Sequence, residues 1–203
     1  YHSKRKDETA LHFALSIGQL PPKTTMTDLL ECSGLNKRRA IFAMFDNLEI
    51  VPRYPPELTV QHLAKIRRNN NGSLLHRAAM QGGYPNNCTV QDLMSPSDNF
   101  GRTPLHKAAD FGNLLPCIKA DLQSMKDNFG CTPWDVAVKN LDSFWRLERS
   151  VRNLLACPEL CQKLRPNRKA HCEILKLLLA SPGLTPELRG RMAVYPHICA
   201  AML

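Results

Sequence analysis

Aromatic residues are scarce and long apolar runs are missing from this sequence. Phe, Trp and Tyr make up 6% of 203 residues, against 43% hydrophobic and 22% charged. Apolar runs, such as Leu177-Leu178-Leu179-Ala180, are short. A membrane-spanning helix needs about 20 consecutive apolar residues, so no span is predicted. Residues 1–6 are basic with no apolar run behind them, so no secretory signal peptide is predicted in this stretch. The initiator Met is also missing, and the expectation is a piece of a longer chain. There is no phosphate-binding loop, no dinucleotide fingerprint and no strand–turn–helix nucleophile elbow. The sequence therefore predicts no catalytic residues, no cofactor and no resident metal.

Eight cysteines are scattered along the chain, several among helical apolar residues where a free thiol packs as a small hydrophobe. That usage implies reduced thiols and a cytoplasmic setting. Cys157, Cys161, His171 and Cys172 are of zinc-ligand type. Adjacent helical residues point about 100° apart, so His171 and Cys172 make a poor ligand pair. The net charge is +9. Residues 1–70 carry 11 basic against 7 acidic side chains, residues 71–138 carry 5 against 6, and residues 139–203 carry 11 against 5. A nucleic-acid binder more often shows one continuous basic face, so nucleic acid is not the expected partner.

What the chain does contain is a repeat. Gly101-Arg102-Thr103-Pro104-Leu105-His106-Lys107-Ala108-Ala109 recurs as Gly72-Ser73-Leu74-Leu75-His76-Arg77-Ala78-Ala79 and as Gly130-Cys131-Thr132-Pro133-Trp134-Asp135-Val136-Ala137. Thr9-Ala10-Leu11-His12-Phe13-Ala14 and a worn copy, Arg39-Ala40-Ile41-Phe42-Ala43-Met44, extend it toward the start. The phase-marking positions 9, 39, 73, 103 and 132 are spaced by 30, 34, 30 and 29. A second motif keeps the same phase: Thr25-Met26-Thr27-Asp28-Leu29, Thr59-Val60-Gln61-His62-Leu63, Thr89-Val90-Gln91-Asp92-Leu93 and Ile118-Lys119-Ala120-Asp121-Leu122.

The residues explain a helix pair in each unit. Thr103 suits an N-cap, and Pro104 suits the first turn, where its missing N–H costs nothing. Leu105, Ala108 and Ala109 fall at helical spacing, and the alanines let a neighbouring helix approach closely. Gly18, Gly82 and Gly112 stop the first helix. Pro21-Pro22, Pro55-Pro56, Pro85 and Pro116 mark the turn before the second. Asp98-Asn99-Phe100-Gly101 makes a tight turn into the next unit. One such pair cannot bury its own apolar faces, so successive pairs must stack.

Thr-Pro-Leu-His-x-Ala-Ala, preceded by an Asn-x-Gly turn and followed by Gly, resembles the ankyrin repeat at a slightly short period. The likeness is close over residues 71–138, fair over 7–34 and degenerate over 35–70. The tight units, with Pro before a Thr-x-x-Asp-Leu helix, look most like ankyrin-like repeats of bacterial proteins. The resemblance implies an all-α solenoid of stacked helix-turn-helix units over residues 1–138, with residues 139–203 as an irregular final unit or cap. It also implies that His12, His76 and His106 hydrogen-bond neighbouring turns and serve structure.

The same resemblance implies a non-enzymatic scaffold that binds another protein through its concave face and inter-repeat turns, in the style of an effector acting in a host cytosol. The alternative is the recruiting arm of a longer enzyme. The expected contact residues are Asn99, Phe100 and Arg102 with their counterparts Asn128 and Phe129 at the turns. Arg77 and Lys107 follow the repeated histidines and are expected on the concave face. Arg38, Arg39, Arg67 and Arg68 suit a partner with an acidic surface, and the spacing of 29 between Arg38 and Arg67 permits a shared phase. Phe100 and Phe129 fit either partner contact or packing between units.

Overall fold

A computed structural model describes residues 9–33, 39–46, 51–67, 71–95, 97–165, 168–195 and 198. The described residues are mostly helical. Their only extended pairings are two isolated antiparallel bridges, Ser33 with Arg39 and Arg67 with Ser73. The chain is thus all-α, and no described helix is long and apolar enough to cross a membrane.

Helices come in pairs. The first pair is α1 (Ala10–Ser16) and α2 (Met26–Glu31), and the next is a 3-10 helix, Ala40–Phe45, with α3 (Val60–Lys65). Then follow α4 (Leu74–Gln81) with a 3-10 helix at Gln91–Met94, and α5 (Pro104–Phe111) with α6 (Lys119–Gln123). The remaining elements are α7 (Pro133–Leu141), a 3-10 turn Phe144–Arg146, α8 (Leu147–Ala156), a 3-10 helix Pro158–Lys163, α9 (Lys169–Leu179) and α10 (Pro186–Met192). The first helices of successive units pack on one another, α4 on α5 and α5 on α7. In the C-terminal part α8 packs against α7 and α9.

The packed faces are those read from the repeat. Leu74, Leu75, Ala78, Ala79, Leu105, Ala108 and Ala109 are wholly buried. Leu29, Leu63, Leu93 and Leu122, the last residue of each second-helix motif, are also wholly buried. Each such leucine contributes roughly 2–5 kcal/mol, judged by what truncation to Ala costs in packed cores. The helix starts follow the cap chemistry. Pro104 and Pro133 stand at the start of α5 and α7, and Gly18, Gly82 and Gly112 follow α1, α4 and α5 at φ between +72° and +77°.

Where the cap chemistry is missing, the helix changes. In the degenerate unit Phe42 stands where the other units place His or Asp, and Arg39 makes no side-chain cap hydrogen bond. The segment Ala40–Phe45 then winds as a 3-10 helix rather than the α-helix its neighbours form. The backbone N–H of Ala40 reaches Cys32 O (2.8 Å), as Leu74 N reaches Ile66 O (2.9 Å). These matching bonds set Arg39 equivalent to Ser73, and Arg67 equivalent to Ser33.

Candidate functional site

Two of the repeated histidines, His76 and His106, tie successive units by hydrogen bonds. In α5 the backbone N–H of Thr103 donates to His106 Nδ1 (3.1 Å), and the Thr103 hydroxyl lies 2.9 Å from the same nitrogen. Because Nδ1 accepts, the ring proton sits on Nε2, which donates to Cys131 O in the next turn (3.1 Å). His76 repeats this, accepting from Ser73 N (3.0 Å) and donating to Arg102 O (2.9 Å). Burial pushes both imidazoles below the ordinary histidine pKa, despite carbonyl partners that favour the proton. They are neutral connectors between units.

At Asp135 this series of ties stops. Asp135 Oδ2 accepts from Thr132 N (2.8 Å) and so closes the helix start as His106 does. A carboxylate has no second donor to hand on to a following turn. The departure from regular repeat geometry begins there. The Thr-x-x-Asp motif of the second helices is likewise a capping box: Thr25 N donates to Asp28 (2.8 Å) and Thr89 N to Asp92 (2.9 Å). The capping hydrogen bonds from Thr25 hold the Asp28 carboxyl below its usual pKa.

The turns are built from aspartates whose importance the sequence pattern did not reveal. Asp98 Oδ1 accepts from Phe100 N and Arg102 N, and Asp127 Oδ1 accepts from Phe129 N and Cys131 N, all at 2.9 Å. Gly101 and Gly130 take φ of +72° and +78° to close these turns. Adjacent turns are tied by Asn128 N to Phe100 O (2.9 Å) and by Asn128 Nδ2 to Asn99 O (3.2 Å). Other ties between units are equally absent from the sequence reading: Asn113 and Asn140 donate to carbonyls of Met80 and Ala109 at 2.8 and 2.9 Å, and Tyr54 donates to Gly83 O at 2.7 Å. The repetition of Asn and Tyr in successive units is the signal that could have found them.

Of the expected contact residues, the turn group is brought together. Phe100 is 50% exposed and Phe129 is 68% exposed, and their rings stack on one another with centroids 6.5 Å apart. Arg102 lies 6.0 Å above the Phe129 ring and 3.3 Å from Asp127 Oδ2. The phenylalanines thus pack between turns and still face solvent. Lys107 stands beside them, 3.8 Å from Asp98.

The other arginines fall elsewhere. Arg77 is half-buried and donates to Phe45 O (2.7 Å), so its guanidinium ties α4 to the degenerate unit. Arg67 is exposed and donates to Asn71 O (2.7 Å) and Ser97 O (3.0 Å), closing a turn. Arg39 is exposed and occupies a helix start. Arg38 and Arg68 lie outside the described residues.

A groove of about 400 Å³ opens along the first helices between α5 and α7. Arg102, Lys107, Lys139 and Arg146 contribute cations to its wall, and Asp110 and Asp135 contribute carboxylates. Arg146 pairs with Asp110 and donates to Asn140 Oδ1 (2.8 Å). Lys139 has no hydrogen-bond or ion-pair partner among the described residues. Ser143 and Arg146 also line the groove, from a segment the regular units do not contain. Within that segment Trp145 is 93% exposed, with Phe144 edge-on to it at 6.1 Å. Burying one large aromatic side chain is worth about 2–3 kcal/mol, so a Trp left in water is a notable feature.

The cysteines and His171 do structural work. His171 Nδ1 accepts from Arg165 N (2.6 Å), and its Nε2 lies 3.3 Å from Asp142. Cys157 and Cys161 are buried, and burial raises the Cys161 thiol to about 12, well away from a reactive thiolate. No protein-family model matches the chain, and no curated protein matches it.

Proposed function

We propose that this chain is an ankyrin-type repeat scaffold that binds another protein through the groove along its first helices and the turns beside it. The observation that carries this reading is a division of labour among repeated positions. His76 and His106 direct their rings at the next unit, Asn140 its amide at the preceding helix, and Asp98 and Asp127 their carboxylates at the backbone of their own turns, which commits these polar atoms within the stack. The exposed Phe100, Phe129 and Lys139 and the half-buried Lys107 lie along the turn edge and the adjoining groove. Exposed aromatics beside cations suit protein recognition, where a few such residues carry most of the affinity. A buried catalytic constellation is not needed for this role.

Photo-crosslinking tests the reading. A photoreactive amino acid at Phe129 or Val136, on the turn edge and in the groove, should capture a specific protein from a cytosolic extract. The same probe at exposed Gln123, on a second helix, should not. Equal capture at all three positions, or none at any, would sink the proposal.

A further inference from the structure

We infer that the groove between α5 and α7, together with the exposed Phe144–Trp145 pair that lies in the chain between its lining residues Ser143 and Arg146, takes an acidic peptide segment of a partner that carries an apolar anchor residue. This rests on the protein-binding reading above and specifies what that partner presents.

Charge is the first argument. Asp98 and Asp127, the carboxylates nearest Lys107 and Arg102, have side chains 1% and 0% exposed and are occupied by backbone N–H groups. The cations remain open, with Arg102 39%, Arg146 40% and Lys107 21% exposed. Arg102, Arg146 and Lys107 are ion-paired to Asp127, Asp110 and Asp98. Asp110 and the exposed Asp135 also line the groove, and the cation left unpaired among the described residues is Lys139. Lys139, exposed and without a partner among the described residues, is the cation best placed to meet a carboxylate. Long-range attraction of this kind sets partner choice and association rate.

Shape and the aromatic pair are the second argument. The wall is concave, about 400 Å³, and holds charges of both signs, which fits an extended segment better than a flat lipid surface. Trp145 follows directly on Phe144, and the next residue, Arg146, lines the groove. A side chain leaving the groove beside Arg146 meets an aromatic face already ordered by its neighbour, which lowers the entropic cost of contact.

The test selects binders from a random dodecapeptide library displayed against the whole chain. Enriched peptides are expected to carry Asp or Glu flanking an aromatic or Leu residue. The best synthetic peptide, followed by fluorescence anisotropy, should lose about thirtyfold in affinity with Trp145→Ala and about tenfold with Lys139→Glu. Both variants alter exposed side chains, and unchanged circular dichroism and melting confirm that each still folds.

Neutral or basic enriched peptides, no enrichment, or indifference to both variants would overturn the inference. So would Trp145-dependent sedimentation with phosphatidylserine vesicles, which would assign the pair to a lipid surface. Trp145-dependent self-association in sedimentation velocity would likewise overturn it, assigning the pair to a second copy. Should cross-linking at Phe129 and Val136 succeed while the peptide selection fails, the scaffold reading stands and only the acidic-segment inference falls.

Discussion

Residues 72–141 and 142–195 are built from similar short helices, yet they hold together differently. In the centre one hydrogen-bond scheme recurs: a histidine closes its helix and reaches the next turn, an aspartate closes the turn, and an asparagine reaches back to the previous helix. In the C-terminal part each tie is made once. Ser150 donates to Asn140 O (3.0 Å), Asn153 to Ala109 O (2.8 Å), and Asp142 meets both Arg168 and His171. A repeating scheme can propagate without limit, whereas a set of single ties ends a stack. The change falls at Trp134-Asp135, where an acceptor-only side chain replaces a ring that both accepts and donates. The groove and the exposed Trp145 lie at that junction, where regular units meet irregular ones.

The junction is best broken at Gly112. A Cβ there would lie 2.5 Å from Arg149 Cα, a backbone atom of α8, and φ is +73°. Gly130 has nearly the same φ, +78°, with nothing within 4 Å. Gly112→Ala is therefore expected to cost about 4 kcal/mol or more, and Gly130→Ala about 1 kcal/mol. Urea melts of the two variants separate steric from conformational strain, and equal losses would mean α8 yields freely.

His106→Ala removes the tie that spans two central units. It leaves Thr103 N–H and Cys131 O without their ring partners, an expected loss of about 2 kcal/mol. Hydrogen exchange should then show the amides of α7 and α8 opening more often than those of α1. Uniform protection changes would argue that the units do not depend on this connection.

Acid should weaken the centre through the same histidines. The folded pKa of His76 and of His106 lies below the ordinary 6.5. The unfolded chain therefore binds protons more readily, and stability rises with pH through that window. The contribution is complete above about pH 6.5 and is lost as pH falls through the lowered folded values. Melting temperature measured between neutral pH and pH 5 should decline, and His106→Ala should flatten the slope. A flat wild-type profile would contradict the neutral-connector role.

The smallest effect is expected at Trp145. Trp145→Ala should change stability by less than about 0.5 kcal/mol, as exposed positions generally do. A larger loss in a thermal melt would show that the ring supports the fold and does not stand open at the groove.

Much of this organisation is legible in the amino-acid pattern. The period, the glycine stops, the Asp-Asn-Phe-Gly turn and the structural histidines depend on groups within a few residues of one another. Local cap and turn chemistry leaves its mark directly in spacing, so Thr103, Pro104, His106 and Gly112 can be assigned from pattern alone. The turn-edge group Asn99, Phe100, Arg102, Asn128 and Phe129 follows from the same phase.

The tertiary structure alone decided the rest. Whether Phe100 and Phe129 are packed or open depends on how far apart successive turns stand, and they are both stacked and exposed. That Arg77 is tied to Phe45 O follows from a contact across 32 residues. The joining of Ser143 and Arg146 to the groove wall, and the exposure of Trp145 between them in the chain, depend on the direction the chain takes after the repeat scheme stops. The amino-acid pattern determined the unit, because caps and turns are local. The stack determined the surface, because exposure is a property of neighbours distant in the chain.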